Sequence, residues 1–164
     1  MELACKFCRI ISRELPAYAV FEDKVSLAFL DYKPLFPGHC LLVPKEHYPT
    51  LPDLPTRLLE PLFAKAALLA RAMEAGLMAE GSFVAINNRI SQSVPHLHIH
   101  VAPRRRRDGL RGFFWPRQRY RDEANRQGGS TQGKKSEDSS LHDVSNLSQL
   151  TLLQPLGSLA LDDD

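Results

Sequence analysis

Cysteine is scarce: Cys5, Cys8 and Cys40 are the only three in 164 residues. An odd, small set argues against a disulfide-stapled scaffold and fits thiols or metal ligands in a reducing compartment. Long apolar runs are missing too. No stretch approaches the ~20 residues needed to span a bilayer. MELACKFCRI opens without a basic region leading into an apolar core, so the expectation is a cytoplasmic chain with no membrane partner. Internal repeats are absent, and so is a dominant sign of charge. The net charge is +2, but it is unevenly spread. Residues 1–120 carry 17 Lys+Arg against 11 Asp+Glu, and residues 121–164 carry 4 against 8. A mildly basic folded part suits an anionic ligand.

What is present fits one domain over residues 1–120 and a low-complexity, disordered tail over 121–164. FCRIISREL (7–15) has helical spacing, stopped by Pro16. AYAVFED (17–23) and VSLAFLD (25–31) read as strands around a turn at 22–24. PLFPG (34–38) is a breaker cluster, and HCLLVP (39–44) a third strand. Residues 56–76 form the best helix, with Leu58, Leu59, Leu62, Phe63, Ala66, Leu69, Ala70 and Met73 at the 3.6 period. That stripe is core rather than a cofactor box. Pro61 should kink the helix or restart it, and Gly76 should end it. SFVAINN (82–88) and VPHLHIHV (94–101) complete five strands. The expected class is α+β: an antiparallel sheet with one long and one short helix. In the tail, Leu141, Val144, Leu147 and Leu150 have weak helical spacing, more an idle segment than a docking one.

Three histidines, His96, His98 and His100, alternate with Leu97, Ile99 and Val101. On a strand the imidazoles share one face and the apolar chains the other. A single ion bound by all three is disfavoured, because residues i and i+4 of a strand lie roughly 13 Å apart and metal–nitrogen bonds are about 2.0–2.1 Å. At least one histidine must do something else, and a neutral imidazole can serve as nucleophile or acid–base group. CKFC (5–8) fits a redox pair, half a zinc site or two unligated thiols. A zinc site needs two more ligands, and His47 and one histidine of the cluster are available. Asn87, Asn88, Ser91, Gln92 and Ser93 crowd polar groups just before the histidines, as a phosphate site would require.

PHLHIHV resembles the His-x-His-x-His-x-x motif of the histidine triad (HIT) family. Residues 5–47 are similar to that family's N-terminal half, residues 87–104 to its C-terminal half, and FFWP (113–116) to the ending of its nucleotide-binding branch. The resemblance implies a HIT-like fold and a hydrolase or transferase for purine nucleotide derivatives, a nucleoside phosphoramidase or nucleotidyl hydrolase. It implies a nucleotidyl intermediate on His98. His96 would supply a carbonyl to orient that ring. His100 and Gln92 would contact phosphate, Ser93 would stand near the leaving group, and His39 would line the same pocket. Asp31 would take the ribose hydroxyls, Phe7, Ile10 and Phe29 the base, and Asn87 the nucleotide. Cys5, Cys8, His47 and His96 would hold a structural Zn2+, and the chain would be a homodimer. For Phe7, Ile10 and Phe29 plain core packing is the competing expectation.

One departure is the run from Asn88 to Gln92, where many members carry a glycine-rich loop; here there is none. Arg89 is expected to face solvent rather than supply charge. RRRR (104–107) lacks accompanying aromatics, so a solvated loop is expected rather than a nucleic-acid surface. Two alternatives to the enzyme reading stay open. One is a nucleotide-binding, zinc-stabilised interaction protein with little turnover. The other is a catalytic metal at His96 and His98.

Overall fold

Alternation along the central strands decides where everything else packs. The computed structural model describes residues 5–110. In chain order the elements are α1 (Lys6–Ile11), β1 (Ala19–Glu22), β2 (Ser26–Leu30), β3 (Cys40–Pro44), a 3-10 turn at Leu51–Asp53, α2 (Thr56–Leu77), β4 (Gly81–Ala85) and β5 (Ile99–Arg104). The strands form one antiparallel sheet in the order β1-β2-β3-β5-β4. This is the expected α+β arrangement. The FFWP segment, the 120/121 boundary and the tail lie outside the described residues.

Successive side chains of a strand point to opposite faces. Ala28, Cys40, Leu42, Leu97, Ile99 and Val101 pack under Leu62, Ala66, Leu69 and Met73 of α2. Leu27, Phe29, Leu41 and Val43 pack against Phe7 and Ile10 of α1. With both faces covered, β2 and β3 read as nearly unbroken apolar runs. Of the α2 stripe, Leu62, Ala66, Leu69 and Met73 are core and Leu58, Leu59 and Ala70 pack against it, whereas Phe63 is exposed.

Several boundaries differ from the sequence reading, each for a local reason. The last strand pairs from Ile99 rather than residue 94. The Leu97 N–H donates to the Tyr48 carbonyl at 2.6 Å and the His96 N–H to that of Val94 at 2.8 Å, so neither joins the ladder. The alternation persists regardless: Leu97 stays on the α2 side, while His96 and His98 meet the Phe7 ring on the other. Helix α1 ends at Ile11, and Arg13 turns the chain with φ 68° before Pro16 is reached. Helix α2 continues without a break through Pro61 and past Gly76. Pro61 lies in the second turn, so a single bond, to the carbonyl of Arg57, is lost. The helix ends on Met78, which takes the left-handed cap at φ 52°. The hairpin turn is built by Asp23, whose Oδ1 accepts from Val25 N, Ser26 N and Ser26 Oγ at 2.9, 2.7 and 2.9 Å.

The breaker cluster before β3 has a defined job. The His39 N–H donates to the Phe36 carbonyl at 2.9 Å across Pro37 and Gly38, the residue pattern of a type II turn. Gly38 has φ 96°, and a Cβ there would fall 2.4 Å from Leu77 Cδ1. The turn thus delivers His39 to β3 while leaving room for the end of α2. Gly38→Ala should lower stability by roughly 1–3 kcal/mol. Urea denaturation checks this; a wild-type midpoint would contradict the assigned strain.

Candidate active site and metal-ligand cluster

Helix α1 and the segment before β5 bring four ligand atoms together. Those of Cys5, Cys8, His47 and His96 all lie within 4.8 Å of one another. Cys5 Sγ is 3.4 Å from His96 Nδ1, Cys8 Sγ 3.5 Å from the same atom, and Cys8 Sγ 3.3 Å from His47 Nδ1. Zinc bonded tetrahedrally at ~2.3 Å to sulfur and ~2.05 Å to nitrogen would space those atoms by about 3.5 Å. The set therefore fits such an ion in both chemistry and spacing. His96 is further prepared. Its Nε2–H donates to the Pro44 carbonyl at 2.9 Å, so Nδ1 presents its lone pair to the thiols. Burial, opposed in part by that bond, pushes its pKa down to about 4 and keeps the ring neutral.

His98 is oriented from the same residue. Its Nδ1 lies 2.7 Å from the His96 carbonyl oxygen. A carbonyl only accepts, so Nδ1 carries the proton and Nε2 keeps its lone pair. His98 is buried, yet it lines a cavity. A second chain of bonds fixes His100. The Leu35 N–H donates to His39 Nδ1 at 3.1 Å, which leaves the His39 proton on Nε2. That N–H donates to His100 Nδ1 at 3.0 Å. His100 must then carry its proton on Nε2. Burial, with His98 and His39 nearby, holds the His100 pKa down at about 4, and burial lowers that of His39 as well. Asp31 Oδ2 is 3.6 Å from His39 Nδ1, close enough for an ion pair by distance. That nitrogen already accepts from Leu35 and burial favours the neutral ring, so we read the contact as dipolar. His39 itself does not line the cavity; it stands behind His100.

The cavity measures about 870 Å³, within the ~300–1,000 Å³ of small-molecule sites. His98, His100 and Ser93 border it together with Asp31, and Phe7, Ile10 and Phe29 supply apolar wall. Phe7 meets Phe29 and His98 edge-on, at centroid separations of 5.5 and 5.3 Å. It is thus both core and wall. Gln92 is elsewhere engaged: its Oε1 accepts from Arg89 N at 2.7 Å and its Nε2 donates to the Pro49 carbonyl at 2.6 Å. Asn87 is half-buried beyond β4 and, like Gln92, is not among the cavity-lining residues. Its neighbour Asn88 accepts from Leu51 N at 2.8 Å. Among the lining residues that escaped the sequence reading are Lys6, Tyr18 and Tyr32. The available signal was adjacency, since Lys6 precedes Phe7 and Tyr32 follows Asp31. Most of the Arg104–Arg107 run is tied down: Arg104 to Asp108 and the Leu110 carbonyl, Arg105 to the Leu77 carbonyl, and Arg106 to Glu80. No helix among the described residues is long and apolar enough to cross a membrane.

Comparison with known proteins gives relatives in sequence and in fold. The adenylylsulfatase HINT3 of Arabidopsis thaliana is 37% identical over 108 residues, covering 65% of this chain; the chain spans only 55% of that relative. The adenosine 5'-monophosphoramidase HNT1 of Saccharomyces cerevisiae is 37% identical, covering 72% of this chain and 73% of the relative. A Zn-bound histidine triad family protein from Mycobacterium smegmatis superposes with a TM-score of 0.64 at 36% identity, over 82% of this chain and 99% of that one. The HIT domain model matches residues 12–107, a span that holds all three alternating histidines, and the chain belongs to the HIT family.

Proposed function

We propose that this protein is a purine-nucleotide hydrolase or transferase that breaks a bond at the α-phosphate through a covalent intermediate on His98. The observation that carries the reading is the 2.7 Å bond from His98 Nδ1–H to the His96 carbonyl, which leaves an unprotonated Nε2 beside the cavity. Nε2 attacks phosphorus with its lone pair. The bond to the leaving group breaks and the group departs with the bonding electron pair, taking a proton that Ser93 relays from solvent. Water then attacks the nucleotidyl-histidine and gives up a proton to solvent through Ser93, the P–N bond returns its electrons to the ring, and a nucleoside monophosphate leaves. His100, protonated on Nε2, donates to a phosphate oxygen as charge builds there. Asp31 accepts from ribose hydroxyls. Gln92 and Asn87 join the phosphate side only if the 88–92 loop rearranges, because Gln92 must first release Arg89 N and Pro49 O. The named relatives differ in what accompanies the adenylyl group, sulfate in one and an amine in the other. This suits an enzyme whose fixed requirement is the nucleotide.

Intact-mass analysis after quenching with an adenosine phosphoramidate should reveal a nucleotidyl adduct on His98. His98→Ala should lose the adduct and at least about a thousandfold in kcat while its circular dichroism stays unchanged. Nucleotide binding with neither adduct nor turnover in the wild type would instead favour the interaction-protein reading.

The same reading assigns a structural zinc to Cys5, Cys8, His47 and His96. A bound zinc would cross-link α1 to the chain beyond β3 and to the triad, with no open coordination position. Metal analysis should find one zinc per chain. Chelation should lower the melting temperature by several degrees and expose α1 to protease, with zinc restoring the wild type but not Cys8→Ser. A metal-free protein that zinc does not stabilise would refute the assignment.

A homodimer completes the proposal. Strand β4 is a sheet edge with one neighbour, Val84 on it is exposed, and Phe63 and Leu68 of α2 are also exposed. Light scattering should give twice the 18.5 kDa chain mass. A monomer at micromolar concentration would count against it.

A further inference from the structure

The cavity has a buried end and an open one. His98 is 2% exposed, whereas Tyr18 is 81% and Tyr32 75% exposed, so the histidines form the floor and the tyrosines the mouth. Lys6 lines the mouth as well, its Nζ 4.5 Å from the centroid of the Tyr32 ring. That cation–π contact, one of two the Tyr32 ring makes since Lys33 Nζ lies 5.4 Å from the same centroid, favours this position of the Lys6 ammonium without neutralising it. No carboxylate pairs with Lys6 among the described residues.

Consider a nucleotide in the orientation proposed above, on which this inference rests. Its phosphate sits at His98, its ribose at Asp31, and its base lies on Phe7, Ile10 and Phe29. The base edge farthest from the phosphate then faces the mouth, where Lys6 directly precedes Phe7 and Tyr32 directly follows Asp31. An ammonium donates and cannot accept. Guanine and hypoxanthine offer it two adjacent acceptors, O6 and N7. Adenine offers N7 beside an N6 amino group, which is itself a donor and repels the ammonium. Tyr32 adds a flat, exposed face that any purine can use and so does not itself discriminate.

We infer that Lys6, held over Tyr32 at the cavity mouth, makes this site select 6-oxopurine nucleotides over adenine nucleotides. A general attraction of Lys6 for phosphate would strengthen all nucleotides equally, so the affinity ratio separates the two effects. Equilibrium binding of GMP, IMP and AMP by calorimetry is the test. GMP and IMP should bind alike and about three- to tenfold more tightly than AMP, as expected for one directed donor at a solvated rim. The ratio should fall to near one in Lys6→Met and survive in Lys6→Arg. Equal affinities in the wild type, or a preference that persists in Lys6→Met, would overturn the inference while leaving the nucleotide site standing. Failure of all three nucleotides to bind would overturn the parent reading and this one with it.

Discussion

Every polar atom of one buried residue is committed to a different partner. His96 gives its N–H to Val94, its Nε2–H to Pro44, its carbonyl to the ring of His98, and turns its Nδ1 toward Cys5 and Cys8. Three pieces of chain meet at this one residue: α1, the end of β3, and the segment before β5, which carries the ring proposed as nucleophile. Such a fully satisfied network in a low-dielectric interior is stiff, and leaving any member unpaired costs about 1–3 kcal/mol. Orientation of His98 is therefore set by the backbone and core, not by a mobile side chain. The same residue joins the four residues that could hold a metal to the proposed active site.

The sheet separates two kinds of packing. On its α2 side the contacts are aliphatic and carry the core. On its α1 side aromatic and imidazole rings meet edge-on, Phe7 against Phe29, His96 and His98. Burial on that side acts twice. It keeps His39, His96 and His100 neutral near pH 7 by disfavouring their charged forms. It also makes each ring nitrogen's hydrogen bond decisive for its tautomer, because a buried polar group left unpaired is costly. The directed pair Leu35 N–H to His39 and His39 to His100 is the outcome: a proton held on the cavity side of His100 by a backbone amide two residues removed in contact but far from the cavity itself.

Much of this was legible in the sequence because local pattern and burial agree. The five strands, the two helices and the two-faced histidine strand follow from periodicity. The cavity gathers Asp31, Phe7, Ile10, Phe29, Ser93, His98 and His100 from four separate segments. What was not legible depends on non-local hydrogen bonds. Nothing in VPHLHIHV says that Tyr48 will take the Leu97 amide and delay pairing to Ile99. Nothing near His39 says that it will stand behind His100 rather than beside the cavity. Met78 ends α2 in a left-handed cap where the pattern pointed to Gly76, because the backbone turn is required by the path into β4 and the nearest glycine falls two residues early. Lys6 and Tyr32 carried no signal in the sequence beyond adjacency, since their meeting requires α1 to lie across the end of β2.

The loop from Asn88 to Gln92 shows how a missing residue type reshapes a site. Arg89 and Ser91 take φ 65° and 59°, conformations that glycine adopts freely and that cost other residues roughly 1 kcal/mol each. Gln92 offsets part of that cost by accepting from Arg89 N and tying the loop to Pro49. Its amide therefore serves the loop's own conformation in the resting state. The Arg89 and Ser91 side chains also keep the backbone farther from any ligand than glycines would. Both effects remove loop donors from the phosphate and shift the burden to the strand. His100 is what remains there: its proton is already placed by His39, its ring is partly buried, and it needs no rearrangement to donate. A donor oriented before the substrate arrives stabilises developing charge without reorganisation, so under the proposed reading His100, rather than the loop, supplies the oriented donor beside His98.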